Sequence, residues 1–160
     1  MKSGESAEAA AGRTISPGAY EGQYTGSDEE VARAWISEVT GEKLEGPLQE
    51  CLKSGVVLCK LVNRIKSNSI LRINTGPMPF PQRENVNAFC EAARSMGVPD
   101  KDNFTTADLF DNRNFKQVLV CIFSFGRQCY FAPGWNGPCL GRPEMAKLGP
   151  SRSFGRNDSK

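Results

Sequence analysis

Arg113, Lys116 and Arg127 carry the clearest chemistry in this chain by type and spacing. At about 100° per residue on an α-helix, all three fall within roughly 60° of one another. The chemistry of such a ridge is electrostatic: guanidinium and ammonium groups meeting an acidic filament or a phosphoinositide headgroup. Asn114, Gln117, Ser124 and Gln128 are expected to keep that side of the helix polar. A second basic set, Arg142, Lys147, Arg152 and Arg156, alternates with Leu140, Met145, Leu148 and Phe154. That mixture suits a linear segment that orders on a partner. Ser151 and Ser153 stand beside arginines, where phosphorylation would cut the local positive charge. Solvation is the default for any exposed charge, and Lys60 and Arg64, i and i+4 on one helix, read as a solvated strip.

Other chemistries find little support. The chain has no histidine, which removes the commonest general base and the commonest metal ligand. Its six cysteines form no CxxC pair, and Cys51, Cys59, Cys90, Cys121 and Cys129 all sit in apolar, helix-like runs. They read as reduced thiols serving as small hydrophobes in a cytosolic protein. The stretch EGQYTG (21–26) lacks the strand-turn-helix context of a phosphate loop, and Asp100, Asp102 and Asp108 miss calcium-loop spacing. No nucleophile has an evident base partner. No enzymatic activity, catalytic residue, metal or cofactor is therefore expected.

The elements that would position the basic groups are helical. The 160 residues suit one domain with tails, and 39% apolar against 24% charged residues is a globular balance. Net charge is only +2, which argues against nucleic acid, but residues 1–30 hold two bases and six acids while 131–160 hold five and two. No run approaches the roughly 20 apolar residues of a membrane span. Residues 1–26 read as a flexible leader. SDEE (27–30) is a capping box that starts a helix with Val31, Ala34, Trp35 and Val39 on one face, ended by Gly41. Trp35 at that spacing reads as core. Pro47 opens a short turn carrying Leu48, Cys51 and Leu52.

Val56, Val57, Leu58, Cys59, Leu61, Val62 and Ile65 then point nearly all round a helix. Such a helix must be covered on most sides, so it belongs in the middle of a bundle. A proline-rich connection (66–81) is pinned by Ile70 and Ile73, and Pro81 starts a helix with Val86, Phe89, Cys90, Ala93 and Met96. TTADLFD is a single turn anchored by Leu109 and Phe110. The last helix, about Asn114 to Tyr130, repeats Phe115, Val118, Ile122, Phe125 and Cys129, with Leu119, Cys121 and Phe123 widening its apolar face. From Ala132 the Gly/Pro-rich, basic sequence is expected to be extended, or strapped onto the domain at one or two apolar points.

Three blocks in this order, VARAWISEVTGEKLEGPLQECLKSGVVLCKLVNRIKSNSI (31–70), FPQRENVNAFCEAARSMGV (80–98) and TADLFDNRNFKQVLVCIFSFG (106–126), cover about 100 residues. Together they resemble the calponin homology domain, of the single-domain calponin/transgelin type. The resemblance implies an all-α bundle of four main helices around the buried central helix, with short extra turns. It implies a leader (1–26), a domain (27–131) and a Gly/Pro-rich basic tail (132–160). Two departures stand out: Ser54 occupies a position usually held by aspartate, and the tail shares the basic, glycine-rich character of the calponin actin-binding repeats without reproducing them.

In tandem members of the family the matching last helix contributes to the actin contact. The resemblance therefore implies a cytoplasmic, cytoskeleton-associated, monomeric binding protein whose first expected partner is the actin filament. The alternative it leaves open is an adaptor that binds signalling proteins or microtubules without touching actin.

Overall fold

The computed structural model describes residues 24–141, and every regular element in that range is a helix or 3-10 turn, with no strand among the described residues. Its elements are α1 (Asp28–Thr40), α2 (Leu48–Leu52), α3 (Val56–Ile65), α4 (Pro79–Ser95), a 3-10 turn (Asp100–Asp102), α5 (Thr106–Phe110), α6 (Phe115–Gln128) and a second 3-10 turn (Cys129–Phe131). The four longer helices and two short ones match the expected bundle.

The capping box forms as read: the Glu30 amide donates to Ser27 Oγ, and the Ser27 amide donates to the Glu30 carboxylate. At the other end Gly41 takes the left-handed conformation, φ 81°, and its N–H closes the helix on the Ser37 carbonyl. The buried face of α1 is Ala32, Trp35, Ile36 and Val39, while Val31 is half-buried and Ala34 exposed. The expected face is thus rotated, because α1 packs against both α3 and α6 and needs a stripe wide enough for two neighbours.

Helix α3 is enclosed as its composition demands. Leu58, Cys59, Leu61 and Val62 are fully buried and Ile65 nearly so, against α1, α2 and α4. Its outward strip, Lys60 and Arg64, latches onto the end of α1: Lys60 Nζ pairs with Glu42 at 2.9 Å, and Arg64 Nε donates to the Val39 carbonyl at 3.0 Å. Gly55 precedes the helix at φ 79°, and a Cβ there would lie 2.5 Å from Asn85 Cβ and 2.8 Å from the Val86 amide. No other residue fits this crossing of α3 and α4 without backbone movement.

The 66–78 connection is pinned as expected at Ile70. Asn63 exchanges two hydrogen bonds of 2.9 Å with the Ile70 backbone, so the buried isoleucine is held by a side chain of α3. Helix α4 begins at Pro79, two residues before the expected Pro81; both prolines sit in the first turn, where a missing N–H costs nothing. Pro47 likewise lies one position outside α2, as its N-cap.

An aromatic line crosses the core. Trp35 and Phe125 meet edge to face at 6.2 Å, Phe125 and Phe89 at 5.5 Å, and Phe89 and Phe104 at 6.1 Å. Each such pair adds about 0.5–1.5 kcal/mol to the area it buries. Phe125 therefore ties the last helix to α1 and α4.

Residues 132–141 stay on the bundle as a strap. The Leu140 amide donates to the Gly126 carbonyl at 2.8 Å, and the Pro138 carbonyl accepts from Trp35 Nε1 at 2.9 Å. Leu140 lies over Gly126, where a Cβ would come within 2.7 Å of Leu140 Cδ1. The strap is thus seated at two points, Leu140 over Gly126 and Cys139, which is only 4% exposed.

Candidate functional site

Helix α6 is positioned at its start by Asn114, whose side chain accepts from the Gln117 amide at 3.3 Å. Lys116 therefore lies in the first turn, and Arg127 stands eleven residues on, about 16 Å along the axis. Lys116 is exposed and Arg127 half-exposed. Arg113 is exposed but precedes the helix, in the turn that follows Asn112 at φ 54°. Its expected place on the helical ridge is corrected by that turn: α6 begins only at Phe115, so the 100° step does not apply to residue 113.

The residues between the two helical cations also differ from expectation. Ser124 is 3% exposed, and Gln117 Nε2 donates to the backbone carbonyls of Lys101 and Asn103. Gln128 packs over Gly97. These polar groups are spent on the bundle. The line joining Lys116 to Arg127 runs instead through Val120, 40% exposed, and the half-buried Phe123. Helical arithmetic puts both within about 40° of Lys116, so the exposed face interleaves cations with apolar side chains. Tyr130 and Phe131, with rings 5.0 Å apart, extend it past the helix end.

Charge on this face is unengaged. Glu29, Glu42, Glu45, Asp100, Asp102 and Asp111 each take a basic partner elsewhere on the molecule. Among the described residues, Arg113, Lys116 and Arg127 make neither an ion pair nor a side-chain hydrogen bond. An exposed pair would add little stability in any case, but unpaired cations keep their field for an incoming anion. Arg142, Lys147, Arg152 and Arg156, with Ser151 and Ser153, lie outside the described residues.

Two further surface features were not read from the sequence. Leu71, Met78 and Phe80 are exposed by 63% or more, around the connection before α4. The alternation Ile70 in, Leu71 out was available in the ILRI run, but nothing in it said which member faced water. Phe110, expected as an anchor, is only half-buried; Lys53 Nζ lies 4.9 Å and Arg83 Cζ 4.3 Å from its ring centre.

A groove of about 200 Å³ lies between Lys66, Ser95, Met96, Gln128, Phe131, Ala132 and Pro133, below the usual size of a ligand pocket. Burial pushes the thiols of Cys59 and Cys90 up to about 12, and raises Cys121 as well, the reverse of an activated nucleophile. No cluster of candidate metal ligands occurs among the described residues. The arrangement is suited to surface recognition.

The family model described as "Calponin homology (CH) domain" matches residues 26–131. Myophilin of Echinococcus granulosus is 43% identical over 129 residues, covering 79% of this chain and 67% of that protein. Muscle-specific protein 20 of Drosophila melanogaster is 36% identical over 71% of this chain and 62% of its own length. Transgelin of Schizosaccharomyces pombe is 40% identical over 76% and 71%. The chain thus spans about two thirds of the length of these curated relatives. Among solved structures, the calponin-homology domain of an IQGAP protein from Schizosaccharomyces pombe superposes with a TM-score of 0.57 at 25% identity, covering 78% of this chain and 76% of that one. A match over most of the bundle, with the enclosed α3 and the aromatic line through Phe125 in place, leads to one conclusion: this chain belongs to the calponin homology domain family and is of its calponin/transgelin-like type.

Proposed function

We propose that this chain is a non-enzymatic cytoskeletal module of the cytoplasm that docks on actin filaments. The observation that carries the reading is the outer face of α6, where the unpaired Lys116 and Arg127 alternate with Val120 and Phe123 and lead on to Tyr130 and Phe131. Cations bring the domain to an acidic polymer, and the interleaved apolar side chains supply the short-range contact that charge alone does not. Kinship with a protein named for muscle and with a transgelin supports the cytoskeletal setting. Arg113 adds to the same field from the turn before the helix. The basic residues Arg142, Lys147, Arg152 and Arg156 follow the strap in sequence and are assigned an electrostatic contribution to the same partner.

The test is co-sedimentation of the full chain with actin filaments between about 25 and 200 mM salt, across which the Debye length shrinks from roughly 20 to 7 Å. Binding is expected at low salt and should weaken steadily as salt rises. Absence of pelleting at the lowest salt overturns the actin assignment. A parallel microtubule arm decides for the adaptor reading if tubulin alone retains the protein. A version ending at Gly141, which keeps the strap and the Trp35–Pro138 bond, isolates the share of the basic tail.

A further inference from the structure

Cys129 and Cys139 occupy a place that surface docking does not use. Cys129 ends α6 and Cys139 lies in the strap, and both are buried, at 0% and 4% exposure. Their sulfurs are 3.1 Å apart. Around them the strap is held on both sides: Pro138 O accepts from Trp35 Nε1 and Trp135 Nε1, and the Leu140 amide donates to Gly126 O. The other buried thiols face different partners. Cys59 Sγ lies on the Asn85 carbonyl, Cys90 Sγ on the Phe104 carbonyl, and Cys121 Sγ beside Asn103 Oδ1.

We propose that Cys129 and Cys139 are an oxidisable dithiol whose disulfide locks the 132–141 strap onto the end of α6. The sulfurs need to approach by only about 1 Å to reach bonding distance, between two segments already joined by backbone hydrogen bonds. Direction follows from the local chemistry. The single proton of the Cys129 thiol has two acceptors at 3.1 Å, the Gly126 carbonyl and Cys139 Sγ; given to Cys139, it lowers the pKa of that thiol. Burial pushes Cys129 the other way. Cys139 lies in the strap itself, so lifting carries its sulfur out first, and it is assigned the attack.

With glutathione disulfide as oxidant, Cys139 thiolate attacks one glutathione sulfur, breaking the glutathione S–S bond and releasing one glutathione thiolate. Cys129 thiolate then attacks Cys139 Sγ of the mixed disulfide and releases the second glutathione. The two protein thiols lose two electrons, one glutathione disulfide is reduced to two thiols, and the two cysteine protons end on those thiols. Since both sulfurs are buried, attack requires the strap to lift, so its opening gates the reaction.

The experiment uses the full chain equilibrated in glutathione buffers of increasing oxidised fraction, then acid-quenched and alkylated. Chymotryptic cleavage after Tyr130, Phe131 or Trp135 separates the two cysteines unless a disulfide joins them. The expected product is a linked pair of peptides carrying Cys129 and Cys139, with the other four cysteines alkylated, reversed by reduced glutathione. Exchange of the Leu140 amide should slow by about 10-fold or more in the oxidised protein, and its thermal midpoint should rise by roughly 5 °C. Cys139→Ser should show neither effect. Glutathione retained singly on Cys139, linkage between other cysteines, or a linked pair that leaves Leu140 exchange unchanged each overturns the proposal. Cys129→Ser provides a second variant: it should trap the mixed disulfide on Cys139 and leave Leu140 exchange fast.

Discussion

Replacing Asn85 by alanine should cost this domain much of its stability, through hydrogen bonds alone. Asn85 is 1% exposed and sits on α4 where Gly55 crosses it. Its Nδ2 donates to Ser54 O at 2.9 Å and to Asn74 O at 2.7 Å; its Oδ1 accepts from the Asn74 amide at 2.9 Å and from Asn74 Nδ2 at 3.2 Å. The orientation of the carboxamide is set by the Asn74 N–H, which can only donate. Every polar position of the side chain is engaged, and the backbone around α3 and the 66–78 connection is joined through it. Alanine removes these bonds, worth about 1 kcal/mol each, and strands two carbonyls and an amide at about 1–3 kcal/mol each where they stay dry. Water entering the vacated space offsets part of that.

The net expectation is about 3–5 kcal/mol, or roughly 10–20 °C in Tm for a domain of this size. Urea unfolding followed by tryptophan fluorescence gives the global number, and amide exchange at Asn74 reports the local one. Asn85→Gln should fail to rescue, because the crossing at Gly55 leaves no room for the side chain to shift. A loss below about 1 kcal/mol with Asn74 still protected would refute the reasoning.

Three further outcomes follow from the same geometry. Lys116→Glu with Arg127→Glu should lower actin co-sedimentation about 10-fold or more at low salt while leaving the urea midpoint within about 0.5 kcal/mol, since neither side chain has a partner to lose. Gly126→Ala should destabilise by about 1–2 kcal/mol although alanine is the better helix former, because the new methyl meets Leu140; faster exchange of the Leu140 amide is the check, and a stabilised protein would contradict it. Finally, burial raises Cys59 and Cys90 from 9.0 to about 12, so folding disfavours their thiolates. Their contribution is complete below pH 9, the unfolded value, and is lost as pH rises from 9 toward 12. The urea midpoint should fall across that range in the wild type, and less steeply in Cys59→Ala with Cys90→Ala.

How much of this was legible in advance varies by element. Ser27, Glu30 and Gly41 act through bonds within a few residues, and the α1 boundaries came out as read. Helix α3 was legible because a segment apolar on most sides has one solution in water, and its two cations face outward as expected. Local rules were weaker where two positions met the same requirement: Pro79 and Pro81 both suit a first helical turn, and the earlier one is used. They misread the surface of α6. Serine and glutamine look like solvent residues by type, yet Ser124 is buried and Gln117 and Gln128 are turned onto neighbouring segments.

Sequence alone determined the helical class, the enclosed central helix, the apolar faces that carry Trp35 and Phe125, and the family, since each depends on hydrophobic periodicity or on contacts close along the chain. Tertiary structure alone decided what long-range contacts decide. Asn85 became the junction of two helices and a connection, Leu140 met Gly126, Cys139 met Cys129, and apolar side chains were left exposed between Lys116 and Arg127. A residue's type fixes what bonds it can make; which neighbour arrives to accept them is set by packing between segments far apart in the chain, and no spacing rule encodes that.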